Sequence, residues 1–158
     1  MVKNQLSEGG SYPVYQNSLT PLGFYTEFNR RANQSIVICA GAAGEVAFIG
    51  TEFWAADDVY TMDTGVELVD KFLYYVLLSK QYIIKSKVRK ASIPRLSKNY
   101  LENIEFYLPS LEEQLHIVSV LDKFDTLTSD LSQGLPKEIA LRQKQYEYFR
   151  DQLLKFKS

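Results

Sequence analysis

Ser110-Leu-Glu-Glu-Gln-Leu-His-Ile117 is the stretch on which the fold turns, because it opens a segment unlike anything before it. A serine followed three residues later by Glu113 is a capping box, in which the hydroxyl accepts a first-turn amide while the carboxylate reaches back. Beyond it, Ile117, Leu121, Phe124, Thr128, Leu131 and Leu135 alternate by four and three residues, and the seam resumes as Ile139, Arg142, Tyr146, Phe149, Leu153 and Phe156. That spacing predicts a coiled-coil-type helical arm over 110–158, with those last six residues as its pairing face. Run straight from Ile117 to Phe156, the arm would span on the order of 60 Å at about 1.5 Å per residue. One small domain cannot cover that length, so the seam calls for a partner helix. The alternative is a break at Gly134-Leu135-Pro136, residues that suit a helix end and a new first turn, with the arm folding back as an internal hairpin.

Upstream of the arm the period differs. Tyr12-Pro-Val-Tyr-Gln16, Ser35-Ile-Val-Ile-Cys39, Glu45-Val-Ala-Phe-Ile49 and Asp58-Val-Tyr-Thr-Met62 are rich in β-branched and aromatic residues and are punctuated by glycines, which predicts short strands. After Met62, Thr64-Gly-Val-Glu67 fits a capping box, and Phe72, Leu73, Val76 and Leu77 fall at helical spacing. Pro94 and Ile104-Glu-Phe-Tyr-Leu108 suggest a loop and one more strand, closed by Pro109. The expected fold is therefore α+β: a mixed small-stranded sheet domain with packed helices over 1–109, then a long helical arm over 110–158.

Composition narrows the class. The 158 residues are 46% hydrophobic, enough for one cored domain and an appendage. No apolar run approaches the roughly 20 residues of a membrane span and the first residues are polar, so no membrane partner or export signal is expected. The lone Cys39 sits in an apolar run, which suits a buried thiol and a cytoplasmic protein.

The chemistry of catalysis is scarce. His116 lies on the arm helix, and one Cys with one His cannot build a zinc site. Gly41-Ala-Ala-Gly44 lacks the lysine of a phosphate loop and reads as a tight turn. Asp57-Asp58 beside Trp54 could suggest a metal-dependent nuclease, but neighbours in a strand point to opposite faces. No catalytic residue, metal ligand or cofactor is expected.

The net charge of −1 hides a split. Lys80, Lys85, Lys87, Arg89, Lys90, Arg95 and Lys98 follow one another with no carboxylate among them, whereas 102–130 is acidic with Lys123 as its only lysine or arginine. This basic stretch reads as a loop, and with its polar neighbours such a loop can neutralise phosphates and read base edges. Lys85, Lys87, Arg89, Lys90, Ser92 and Arg95 are accordingly the main candidates for DNA contact, with Arg30, Arg31, Asn33 and Gln34 as a second, smaller group.

These residues resemble a known family, the specificity subunits of type I restriction-modification systems. Gly10-Ser-Tyr-Pro-Val-Tyr15, Ser35-Ile-Val-Ile38, the Gly41–Gly44 turn, Phe53-Trp54 with Asp57-Asp58-Val59, and Ile93-Pro-Arg-Leu-Ser97 are similar to its target recognition domain. Leu101-Glu-Asn-Ile-Glu-Phe106 and Leu108-Pro-Ser-Leu-Glu-Glu-Gln114 resemble its exit into a helical spacer, and the segment from Gly134 to Leu154 resembles that spacer itself. The resemblance implies a subunit without an active site that reads double-stranded DNA. It would direct an adenine methyltransferase subunit and a restriction subunit to a bipartite target, with paired spacer helices setting the gap. Full-length members carry two recognition domains and two spacers. This chain has one of each and begins just before Gly9-Gly10, so the expectation is a half-subunit, a truncated product or a fragment, lacking the usual opening segment and pairing with a second spacer helix. The competing reading from another class is an assembly adaptor whose arm docks protein partners without specific DNA contact.

Overall fold

The computed structural model describes residue 6, residues 9–131 and residues 136–155. Among them run β1 (Tyr12–Tyr15), β2 (Gly23–Tyr25), β3 (Gln34–Ile38), β4 (Val46–Ile49), β5 (Trp54–Ala55) and β6 (Val59–Thr61). The helices are α1 (Asp70–Ser79), α2 (Gln81–Ser86), α3 (Lys98–Glu102), α4 (Leu111–Leu131) and α5 (Pro136–Leu154). The fold is α+β, as the strand and helix periods predict.

The centre of the domain is β3, every residue of which is buried. It pairs antiparallel with β4 on one side and β6 on the other, while β1 forms a second sheet between β2 and β5. Side chains alternate across a strand, and β3 uses both faces. Val37 packs with Val46, Leu73, Leu77, Ile84 and Leu96 on the helical side. Ile36 and Ile38 pack with Ile49, Phe53, Ala55 and Val59 on the other. An apolar run without polar alternation is what a strand covered on both faces needs.

Helix α1 is also covered twice. Leu73 and Leu77 meet the sheet, whereas Phe72, Tyr75 and Val76 pack with Ile117 and Leu121 of α4 and Tyr146 of α5. A helix apolar nearly all round belongs in a core, and Phe72-Leu-Tyr-Tyr-Val-Leu-Leu78 is one.

Three local expectations change. The capping box at Thr64–Glu67 does not form, and α1 begins only at Asp70, with Val69 at its N-cap and no side-chain cap of its own. The Val69 amide is instead accepted by Gln114 Oε1 at 2.8 Å, from α4. The basic stretch is partly helical, as α2, rather than a loop. Residues 104–108 turn Ile104 and Phe106 inward and Glu105 and Tyr107 outward, as a strand would, but they are not part of a strand.

The arm starts as the capping box requires, with the Glu113 amide donating to Ser110 Oγ at 3.3 Å. It then departs from the straight 60 Å form. Helix α5 returns against α4 and α1, so that Tyr146 is only 5% exposed and the Phe124 and Phe149 rings stack at 5.7 Å with an interplanar angle of 18°. The seam thus closes within the chain, as the internal hairpin does, and the large apolar surface of Tyr146 is covered without a second molecule. Leu135 and the break at Gly134-Leu135 lie outside the described residues; Pro136 is the first residue of α5, where its missing amide costs nothing.

Candidate nucleic-acid interface

The glycine turn after β3 is a seat for other segments as well as a reversal. Gly41 and Gly44 adopt φ of 79° and 86°, a left-handed conformation that residues with a Cβ rarely take. The Gly41 amide donates to Pro94 O at 3.2 Å and the Ala42 amide to Asn17 O at 2.9 Å. A Cβ on Gly41 would lie 2.7 Å from Asn17 O, and one on Gly44 would lie 3.2 Å from the Lys85 Cα. Backbone from three other parts of the chain therefore meets at one turn, with no room for a Cβ on Gly41 and little on Gly44.

On that seat rests the basic loop. Arg89 and Arg95 exchange backbone hydrogen bonds of 2.8 and 3.2 Å, while the Leu96 amide donates to Cys39 O at 2.8 Å and the Leu96 side chain anchors in the core. The loop is pinned at its base, and its side chains face outward: Lys85, Lys87, Arg89, Lys90, Ser92, Ile93 and Arg95 are all exposed. Lys85 lies 3.6 Å from Glu45, and Lys98 pairs with Glu102 at 3.0 Å. Among the described residues, Lys87, Arg89, Lys90 and Arg95 have no carboxylate in salt-bridge reach. Four cations are thus displayed together without internal counter-charge.

The smaller predicted group sits elsewhere. Arg30 to Gln34 enter β3 and the basic loop meets its exit, about 20 Å apart at roughly 3.3 Å per residue. Their side chains are also engaged internally. One guanidinium nitrogen of Arg31, Nη2, reaches both Asp70 carboxylate oxygens, at 2.9 and 3.0 Å, and Arg30 donates to Thr61 Oγ1 at 2.8 Å and to Asn29 O at 2.7 Å. Gln34 is 1% exposed and donates to Asp63 Oδ1 at 2.6 Å; Asn33 is exposed, in a left-handed turn at φ 59°. The structure does not bring the two groups into one surface.

Of the predicted pairing residues, Tyr146 is buried, Leu153 is half-buried in the same cluster, Phe149 is 38% exposed and Arg142 is exposed. Phe156 and the Ile139 side chain lie outside the described residues. The groups weighed for catalysis remain scattered. Asp57 and Asp58 occupy a turn, His116 is exposed on α4, and no cluster of His, Cys, Asp and Glu among the described residues could hold a metal ion. Burial pushes the Cys39 thiol up, with the Asp58 charge adding to it, so the reactive thiolate is disfavoured.

Sequence reasoning missed Gln114, which is fully buried. Besides accepting from Val69, its amide nitrogen donates to Glu67 O and Pro109 O, each at 2.9 Å. A glutamine in the first turn of an otherwise amphipathic helix is the only signal, and glutamine is usually exposed there. A second missed group surrounds Asp122, which accepts from Lys71 Nζ at 2.7 Å and from the Tyr75 hydroxyl at 2.6 Å.

An α+β domain with a loop whose Lys87, Arg89, Lys90 and Arg95 meet no carboxylate among the described residues, and with a two-helix arm packed on α1, is the build that the resemblance of the sequence leads one to expect. Comparison with known proteins agrees: the chain belongs to the family of the type I restriction modification DNA specificity domain, which matches residues 1–141. It is 30% identical over 172 residues to a putative type I restriction enzyme specificity subunit of Haemophilus influenzae, covering 99% of this chain and 44% of that one. Over 88 residues it is 42% identical to the EcoR124I/EcoR124II specificity subunit of Escherichia coli, covering 54% of this chain and 22% of that one. The type I S subunit of M. genitalium superposes with a TM-score of 0.74 at 25% identity, over 84% of this chain and 36% of that one. The chain spans less than half the length of each of these relatives.

No helix among the described residues is long and apolar enough to cross a membrane.

Proposed function

We propose that residues 1–109 read one part of a double-stranded DNA target and that 110–158 carry the spacer, the chain acting in the cytoplasm as the non-catalytic specificity component of a type I restriction-modification assembly. An adenine methyltransferase subunit and a restriction subunit would supply the chemistry. The observation that carries this reading is the basic loop. Arg89 and Arg95 are held directly opposite each other, flanked by Lys87 and Lys90, with no carboxylate in reach among the described residues. Like charges held opposite oppose folding, and a polyanion is the partner that relieves the repulsion. Lysine and arginine neutralise phosphates there while Ser92 and the arginines can address base edges. The Arg30 to Gln34 group takes the lesser part, since its arginines and Gln34 are already engaged within the domain.

Pairing with a second spacer helix also belongs to this proposal. After α5 has folded back, Leu141 and Tyr148 remain exposed at a seven-residue spacing, the spacing at which a further helix would contact them. The deciding experiment is co-expression with the cognate methyltransferase subunit, followed by mapping of methylated adenines. Sequence-dependent methylation with a fixed gap supports the reading. No sequence-dependent methylation with an otherwise active partner counts against it, and salt-independent association with that partner alone favours the adaptor.

A further inference from the structure

Two directional contacts tie α4 to the recognition domain, and they sit at separate points along the helix. Gln114 satisfies the Val69 amide and the carbonyls of Glu67 and Pro109. Eight residues further on, Asp122 accepts from Lys71 Nζ and lies 2.6 Å from the Tyr75 hydroxyl, both on α1, with Asp125 of the same α4 turn sharing that hydroxyl's proton at 2.8 Å. At about 1.5 Å per residue these points are about 12 Å apart. The apolar packing between them, Phe72, Tyr75 and Val76 against Ile117 and Leu121, sets the separation of the helices and favours a crossing angle, but leaves slide and roll free within the roughly 15–20° scatter of helix packing. Hydrogen bonds at two points do fix them, because each is tolerant of only small changes in distance and angle.

We propose that Gln114 and Asp122 are positioning residues that set the direction in which the arm leaves the domain, and so the gap in the DNA target that the assembly accepts. This rests on the DNA-reading function proposed above. Both residues are already engaged inside the protein: Gln114 is fully buried, and the two Asp122 carboxylate oxygens are taken by Lys71 and Tyr75. Any effect they have on target choice is transmitted through geometry.

The test uses the full chain co-expressed with its methyltransferase subunit on a plasmid library in which the mapped target carries gaps longer and shorter by single base pairs. Gln114→Leu and Asp122→Asn are expected to leave the recognised bases unchanged and to lose discrimination between gaps. Folded variants that keep the parental gap preference, even with a lowered melting temperature, overturn the proposal. Asp122→Asn preserves shape and one acceptor, so it serves where Gln114→Leu fails to fold. A second readout needs no DNA: spin labels at Thr20→Cys and Ser119→Cys, in a Cys39→Ala background, report the distance from domain to arm. A narrow distribution in the parent that broadens in the variants is expected, and an unchanged narrow distribution overturns the proposal. If the parent chain directs no sequence-dependent methylation, the DNA-reading function fails while the spin-label result still stands or falls alone.

Discussion

Arg89 and Arg95 exchange both of their backbone hydrogen bonds, at 2.8 and 3.2 Å, which fixes two cationic side chains directly across from each other. Opposed like charges in a strand pair cost about 0.2–1 kcal/mol. Arg95→Gln is therefore expected to leave the free chain as stable as before, or more stable by about 0.5 kcal/mol, while lowering affinity for target DNA. Urea unfolding and duplex titration check the two halves; a variant clearly less stable than the parent would make the pair a structural one.

Lys87, Arg89 and Lys90 should behave as phosphate contacts. Replacing any one with alanine is expected to weaken binding across sequences and to reduce the slope of log affinity against log salt by about 1. Affinity unchanged at low salt would remove that residue from the interface.

The glycine turn makes a stability prediction with an internal control. Gly44 combines a φ of 86° with the backbone of Lys85 where a Cβ would go, so Gly44→Ala should destabilise by about 1–3 kcal/mol. Gly65 has neither constraint, and Gly65→Ala should be neutral or stabilise by up to about 1 kcal/mol. Equal melting temperatures for the two variants would contradict the account of the seat.

Tyr146 is the anchor of α5. Its ring lies in the α1–α4 cluster, while its buried hydroxyl, near Asp125, has no hydrogen bond within 3.5 Å among the described residues. Tyr146→Phe should be nearly neutral, whereas Tyr146→Ala should cost about 3–5 kcal/mol. Phe149→Asp and Leu153→Asp should detach α5 in the same way, seen as faster amide exchange over 140–155. Unchanged protection there would show that α5 is held by something else.

The same junction predicts an alkaline limit. Burial, and then hydrogen bonds to Asp122 and Asp125, push the Tyr75 hydroxyl well above its ordinary value of 10.0. A group held protonated more tightly in the folded state stabilises fully below the unfolded pKa and loses that contribution as pH rises beyond it. Stability should thus fall as pH climbs above 10, and Tyr75→Phe should fall less steeply. An equal slope in both proteins would acquit Tyr75.

What could be read from the chain alone was whatever depends on neighbours in sequence. β3 was legible because Ile36-Val-Ile38 is apolar on both faces, and the start of α4 because its cap, Ser110, lies in its own first turn. The start of α1 was not, since its amide acceptor, Gln114, comes from 45 residues away. The site divides along the same line. A run of lysines and arginines is visible as composition, but whether a guanidinium is free depends on distant partners. Asp70, 39 residues beyond Arg31, occupies that one, while among the described residues no carboxylate is in salt-bridge reach of Arg89. The return of α5 was legible only as an alternative, because the stripe that binds a foreign helix also binds α4.

Main-chain atoms do the gripping at the Gly41–Gly44 turn: amides and carbonyls of Gly41, Ala42, Asn17 and Pro94 join there, and such bonds are indifferent to which side chains stand outside them. The basic loop can therefore exchange Lys87, Lys90 or Ser92 for other residues without loosening its mount. Mount and outward side chains are carried by different atoms, so the side chains proposed to meet DNA can change by point mutation while the mount persists.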